Sequence, residues 1–465
     1  MSINICCVGA GYVGGPTMAV IADFCPKVKI TVVDVNKNKI ESWNSTNLKK
    51  LPVFEPGLEE TIKRVRNKNL FFSSNVKLGI EEADIIFISV NTPIKESGVG
   101  AGQASDLRWV ESCARQIKTY SRGHTIIVEK STLPVRTAET IKSILGSSEN
   151  LNDNNLEKKS FSVLSNPEFL SEGTAIQDLR NPDRILIGGE DKESIEVLTN
   201  IYAEWVPKSK ILCTSLWSSE LSKLMANAFL AQRISSINTV SAICESTGAN
   251  VKEVSKAIGM DSRIGDKFLN SGPGFGGSCF KKDILNIVYI SRNYGLDQVA
   301  DFWESVIKIN SWQKDRIYKI IVSKLYGNLA NKIIAVLGFA FKANTNDTRE
   351  SPAISICRDL LNEGAVLNIH DPKVDPKLII QNLEISEGNL NSKKNIKNVK
   401  SVKEAATKAD AILILTDWDE YKDLDFQSLS NLMRKPAWVF DTRSVVNIEK
   451  LANTDLNIWR LGSCD

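Results

Sequence analysis

Apolar and polar positions along this chain switch repeatedly between the period of a buried strand and that of a helix. The run Ile3-Asn4-Ile5-Cys6-Cys7-Val8 predicts a strand, and Gly15 to Ala22 carries a helical pattern. A strand over Lys29 to Val33 then ends at Asp34. Asn36 to Asn69 is polar and helix-like, broken by a turn at Leu51 to Gly57. Further strands are predicted over 83–90, 125–128, 161–164 and 185–187, and an Asn- and Lys-rich surface loop over 149–160. Trp217 to Thr247 has the pattern of one long helix, and helical patterns continue to Met260 and from Leu296 to Leu325. Strands return over 332–337, 366–369, 411–415 and 438–440. The last third echoes the first: strand, glycine turn (Gly338-Phe339-Ala340), strand ending in Asp371, then a strand led by Ala409-Asp410 as an earlier one is led by Ala83-Asp84. The fold class expected is α/β, with two doubly wound domains joined by a long central helix, divided as 1–212, 213–325 and 326–465.

The junction after the first strand is Gly9-Ala10-Gly11-Tyr12-Val13-Gly14. Strand, GxGxxG, helix, strand and acidic residue stand in the order of a Rossmann dinucleotide fold. Gly9 permits the tight turn, Gly11 lets backbone approach a pyrophosphate, and Gly14 allows close helix–sheet packing. The helix N-terminus meets the phosphates. Asp34 suits the adenosine ribose hydroxyls and opposes a 2′-phosphate, so NAD is favoured over NADP. Ligands in doubly wound sheets lie beyond the carboxyl ends of strands, so Val90-Asn91-Thr92-Pro93 and Ser131-Thr132 are expected to line the cofactor cleft. Thr132 also fits a cap for the helix after Pro134.

A length of 465 residues suggests roughly three domains. With 42% hydrophobic and 24% charged residues the composition is that of a soluble globular protein. The net charge of +3 offers no basis for nucleic-acid or membrane binding. Nine scattered cysteines contain no CxxC pair or Cys/His cluster, which predicts reduced thiols in a cytoplasmic protein and no metal centre. The N-terminus runs into a strand without a signal peptide or membrane span. The two histidines are His124, in a polar turn, and His370, at a strand end. Proton chemistry is thus expected from Lys, Glu, Asp or water.

Ser271-Gly272-Pro273-Gly274-Phe275-Gly276-Gly277-Ser278-Cys279 reads as a loop able to approach a ligand closely. Ser278 is a candidate N-cap that places Cys279 in the first turn of a helix, a setting that favours a thiolate, with Lys281 and Lys282 adding positive charge. Asp283 lies one helical turn on. A nucleophilic cysteine and an inert buried one both fit this pattern. Lys223 and Asn227 share a helix face among Leu and Ala; a half-buried lysine exchanges protons readily, while a solvated one does not. Glu168 and Glu172, beside Phe169 and Leu170 at a strand end, suit a polar ligand, and equally a turn before a helix. Lys342, Arg349 and Arg443 sit at strand ends or turns, as phosphate ligands or as surface charge.

Gly9 to Thr17, Ser89 to Pro93, Asn166 to Leu170, Lys223 to Asn227, Gln232 to Asn238 and Gly274 to Cys279 resemble the UDP-glucose/GDP-mannose dehydrogenase family over nearly the whole chain, and most closely its animal-type branch. The resemblance implies that UDP-glucose, two NAD and water give UDP-glucuronate and two NADH. It implies a UDP-sugar-binding role for 326–465 and dimer contacts in the central region, hence a homo-oligomer, as a dimer or a dimer-built hexamer. By the same resemblance Cys279 is the nucleophile, and Lys223 and Asp283 handle proton and water. Asn227 helps hold an oxyanion, Glu168 is an acid/base group and Thr132 positions a water. Glu168, Phe169, Leu170, Glu172, Lys223, Asn227, Asn270, Ser271, Phe275, Gly276, Phe341, Lys342 and Arg443 contact UDP-sugar, with Arg263 reaching over from a neighbouring subunit. Gly11, Tyr12, Val13, Gly14, Gly15, Pro16, Asp34, Lys39, Val90 to Pro93, Ser131, Thr132, Glu172, Lys282 and Arg349 touch NAD. Lys39 stands where relatives often have Arg, Ser271-Gly272-Pro273 departs from the animal-type pattern, and the chain stops at Asp465 without a basic tail. Alternatives carried forward are a sibling enzyme acting on UDP-N-acetylmannosamine or GDP-mannose, a two-electron β-hydroxyacid dehydrogenase, and a non-catalytic nucleotide sensor.

Overall fold

A computed structural model describes residues 3–132, 134–147, 159–384 and 392–464. Leu133 and most of the expected Asn/Lys-rich loop lie outside them; Ser160, assigned to that loop, opens a strand. The chain forms two compact units, Met1–Ala226 with Leu285–Ile290, and Asn227–Ile284 with Ser291–Asp465.

The first unit is built on an eight-stranded sheet: β1 (Asn4–Val8), β2 (Lys29–Val33), β3 (Leu70–Ser73), β4 (Ile85–Ile88), β5 (His124–Glu129), β6 (Ser160–Ser165), β7 (Ile185–Gly188) and β8 (Ile211–Thr214). Their spatial order is 3-2-1-4-5-6-7-8. The pairs from β3 across to β6 are parallel, and β6 meets β7 antiparallel. Strands such as Ile85–Ile88 are apolar throughout because helices cover both faces, which is how a parallel sheet excludes water from its ladder. His124 is not in a turn, as expected, but begins β5; its ring Nδ1 bonds Ser160 Oγ across the pair at 2.8 Å.

The second unit repeats the plan with β9 (Ile333–Leu337), β10 (Val366–His370), β11 (Ile396–Asn398), β12 (Ala411–Ile414), β13 (Ala437–Asp441) and β14 (Leu456–Arg460), ordered 11-10-9-12-13-14 and parallel throughout. The echo extends to single bonds. Gly9 N–H donates to Val33 O and Gly338 N–H to His370 O, both at 2.8 Å. Asp371 fills the place of Asp34, but its Oδ2 already accepts from Phe339 N–H (2.7 Å) and Ala340 N–H (3.0 Å), and its Oδ1 from the amides of Lys373 and Val374. These four bonds tie the carboxylate to the turn's own backbone.

One helix, Leu216–Thr247, joins the two Rossmann-like units. It has 32 residues and no internal Gly or Pro, giving a length of about 48 Å at ~1.5 Å per residue. Gly248, at φ +82°, ends it and donates its N–H to Cys244 O.

Candidate functional site

In the first unit the glycines divide by what surrounds them. A Cβ on Gly9 (φ +112°) would lie 2.2 Å from Ser89 O, and one on Gly14 would lie 2.0 Å from Gly9 O. A Cβ on Gly15 would enter the Trp43 ring, whereas one on Gly11 would meet nothing within 4 Å. Three glycines are therefore demanded by the fold, and Gly11 faces open space. The helix Gly14–Phe24 begins there with no side-chain cap and no acidic residue in its first turn, so its positive dipole end is not offset by a carboxylate of that turn. Asp34, mostly buried, accepts from Ala10 N–H (3.0 Å), Asn36 N–H (2.9 Å) and Lys39 Nζ (2.8 Å). Burial pushes its carboxyl up, but Lys39 and the two amides outweigh that and hold it below the usual range. A carboxylate fixed as an acceptor beside an open glycine at a helix start fits a dinucleotide with an unmodified ribose.

The strand-end turns lock together. Ser131 Oγ donates to Val90 O at 2.8 Å, and Thr92 Oγ1 to Thr132 O at 3.0 Å. The next helix, Thr137–Gly146, has Arg136 at its cap position with no side-chain cap hydrogen bond, so Thr132 does not cap it. Beyond β5 and β6, Lys130 is almost wholly buried. Its Nζ lies 2.9 Å from Glu168 Oε2, 3.1 Å from Asn166 Oδ1 and 3.3 Å from Tyr202 OH. Glu168 Oε1 accepts from the amides of Phe169 (2.8 Å) and Leu170 (3.1 Å). Burial raises the Glu168 pKa, but Lys130, the Phe169 amide and the Lys223 charge bring it below the ordinary value. Lys130, penalised by burial, is raised above its own by Glu168 and Tyr202. Glu172 is half-buried near this turn.

Lys223 is 6% exposed, with its ammonium 5.2 Å from the Phe169 ring centroid; Arg184 stacks on the same ring at 3.9 Å. Burial, not a solvated face, is thus the setting of Lys223. Four residues further along the same helix, in the second unit, Asn227 Nδ2 donates to Asp283 Oδ2 at 2.6 Å, both residues being buried.

Cys279 is half-buried, and Ser278 Oγ lies 3.4 Å from its sulfur. It is not in the first turn, as expected: the helix runs Phe280–Asn293, and Cys279 O accepts from Asp283 N–H at 2.8 Å, so Cys279 itself is the flanking residue. The left-handed turn at Gly277 (φ +84°), whose N–H is tied to Arg349 O at 2.8 Å, delays the helix by one residue. Around this loop a Cβ on Gly276 would strike Glu350 O and Phe341 Cβ. Lys342 Nζ lies 5.5 Å from the Phe341 ring centroid, Arg443 donates to Leu415 O (2.8 Å) and Phe341 O (3.2 Å), and Gly272 passes against its guanidinium. Phe341, Lys342, Arg349, Arg443, Ser271, Phe275 and Gly276 thus gather in the second unit, with Lys282 on the Cys279 helix; Asn270 is exposed beside them. Arg263 stands apart: its exposed guanidinium pairs with Asp261 at 2.6 Å.

Several residues escaped the sequence pattern. Lys130 pairs with Glu168 and is itself held by Asn166 and Tyr202. Glu129 and Glu220, 2% and 3% exposed, are both raised, Glu129 by burial and then by the Glu220 charge, Glu220 by burial against the amides of Ala138 and Arg136. Lys-Ser-Thr after an apolar run is the only local cue to Lys130; its partners come from distant strands and a helix.

An open glycine turn with a held acid at the carboxyl end of a parallel sheet marks a dinucleotide-dependent dehydrogenase. The chain belongs to the UDP-glucose/GDP-mannose dehydrogenase family: it matches the family's NAD binding domain over residues 3–206, its central domain over 217–312 and its UDP binding domain over 335–448. It is 52% identical over 475 aligned residues to UDP-glucose 6-dehydrogenase 1 of Glycine max, covering 99% of this chain and 97% of that one. Against UDP-glucose 6-dehydrogenase of Drosophila melanogaster it is 51% identical, covering 99% and 96%, so the likeness extends to plant and animal relatives alike. Among solved structures it resembles a UDP-glucose dehydrogenase from the archaeon Pyrobaculum islandicum, with a TM-score of 0.83, 29% identity and coverage of 100% and 98%.

Proposed function

We propose that this protein oxidises the C6 hydroxymethyl group of UDP-glucose to the carboxylate of UDP-glucuronate, with two NAD reduced and one water consumed. The observation that carries this is a likeness of about half of all positions to UDP-glucose 6-dehydrogenases across 99% of the chain. Neighbours whose names specify UDP-N-acetylmannosamine share 24% identity or less, a likeness of fold alone. Gly11 to Pro16, Asp34, Lys39 and the strand-end turns at Val90 to Pro93 and Ser131-Thr132 hold NAD, which supplies the hydride acceptor when bound; Glu172, Lys282 and Arg349 add contacts.

The reaction divides among this chain's residues. Lys223 takes the proton from the C6 hydroxyl as the alcohol becomes an aldehyde. The Cys279 sulfur adds to that aldehyde carbon, forming a C–S bond, and the thiohemiacetal keeps the half-oxidised sugar from escaping or hydrating. The second oxidation leaves a thioester. Water then adds to its carbonyl, with Glu168 taking the proton, Thr132 orienting the water and Asp283 shuttling protons. Collapse breaks the C–S bond and returns the thiolate. Lys223 and Asn227 stabilise the oxygen on which charge develops, each donor contributing about 3 kcal/mol. The ion pair with Lys130 supports the role of Glu168, because it keeps that carboxylate ionised and able to accept a proton. Phe169, Leu170, Asn270, Ser271, Phe275, Gly276, Phe341, Lys342 and Arg443 bind the UDP-sugar.

The protein acts as a homo-oligomer in the cytoplasm. Exposed Phe229 and Ile243 on the long helix support self-association, Arg263 is exposed enough to serve a neighbouring subunit, and the scattered cysteines support a reducing compartment. Cys279→Ser is expected to abolish steady-state NADH formation or to halt at a tightly held intermediate. Near-wild-type turnover by that variant would overturn the assignment.

A further inference from the structure

The loop that delivers Cys279 is buried from Gly272 to Gly277 although it has neither helix nor strand pairing. Buried backbone groups require partners, and here side-chain amides provide them. Gly272 N–H donates to Asn238 Oδ1 at 2.9 Å, and Gly272 O accepts from Gln313 Nε2 at 2.9 Å. Phe275 N–H donates to Asn310 Oδ1 at 2.8 Å, and Phe275 O accepts from Asn310 Nδ2 at 3.1 Å. Asn238, Asn310 and Gln313 are all buried. Asn310 and Gln313 stand three apart on the helix Asp297–Lys324, so one helix face presents both amides to the loop. Gly274, between the two clasped residues, has φ +125°, and a Cβ there would lie 2.6 Å from Asn310 Oδ1.

We propose that Asn310 is a positioning residue for the nucleophile: by pairing with both backbone groups of Phe275, four residues before Cys279, it sets where the sulfur stands relative to the carbon it attacks. The inference rests on the reading of Cys279 as the nucleophile. A single carboxamide that binds N–H and C=O of one residue copies the pairing of a strand neighbour, and fixes both the position and the rotation of that peptide. Misplacement of a reacting atom by about 1 Å costs roughly a hundredfold in rate. A lost clasp should therefore appear in catalysis and not only in stability.

Asn310→Asp preserves size and the acceptor but removes the donor to Phe275 O. Gly274→Ala leaves Asn310 in place and displaces the clasp from the loop side. In the full-length enzyme, kcat per folded molecule should fall roughly tenfold or more in each variant, while NAD affinity, read by fluorescence titration, stays within about twofold. Iodoacetamide labelling of Cys279, followed by mass spectrometry so that exposed Cys213 and Cys464 are counted separately, should change in rate and in pH profile. Folded variants with wild-type kcat and an unchanged Cys279 labelling profile would overturn the role of Asn310, even if their melting temperatures fell. Full activity of Cys279→Ser measured in the same series would instead overturn the nucleophile itself, and this inference with it.

Discussion

A buried charge is tolerated only with a partner, and Lys130 and Glu168 each depend on the other. Glu168 leaves 13% of its side chain exposed and Lys130 2%. Removing the cation in Lys130→Met strands a carboxylate in a dry turn, and such losses cost roughly 3–5 kcal/mol. Urea unfolding should show a drop of that order, with activity shifted to higher pH as the Glu168 carboxyl loses its counter-charge. Glu129 and Glu220 work in the opposite sense. Their folded pKa values are raised above the unfolded value, so the stability they contribute is complete below about pH 4.3 and is lost as pH rises through the raised values. Glu129→Gln keeps an uncharged donor and removes this loss. The melting temperature of the variant should gain on the wild type as pH rises above about 4.3; a difference independent of pH would contradict the pairing. Neither carboxyl could be singled out from sequence, because Glu129 closes an ordinary apolar strand and Glu220 opens an ordinary helix. Their meeting is tertiary.

At the scale of elements, the glycine turn and helix Gly14–Phe24 separate fold from function. Gly14→Ala must push Gly9 O aside, an overpacking of roughly 1–3 kcal/mol, and should lower the melting temperature. Gly11→Ala has room and ordinary backbone, so it should leave stability nearly unchanged and weaken NAD binding, read by isothermal titration. Equal effects of the two on stability would contradict this division. These elements were legible because a strand, a glycine fingerprint, a helix and an acid are local signals with one geometric solution. The long helix was legible within one residue at its start, since Trp217 to Thr247 lacks any breaker. The Cys279 helix began one residue later than its pattern, because the Gly277–Arg349 bond that delays it joins residues far apart in sequence. The amides clasping the loop were invisible for the same reason.

At the scale of the whole molecule, two Rossmann-like units are joined by one helix: the first carries the open glycine turn, and the second repeats its strand order with Asp371 bonded to four amides of its own turn. The echo between Ala83-Asp84 and Ala409-Asp410 exposed this plan in sequence, whereas the partners of each turn emerged only from the fold. In the proposed reaction the cysteine loop retains an aldehyde between two oxidations, a task that a single hydride transfer would not set. The most direct measurement is the amount of NADH formed per UDP-glucose consumed at completion. Two NADH for each sugar nucleotide, with UDP-glucuronate as product, is the predicted result, and one NADH with released aldehyde would contradict the account.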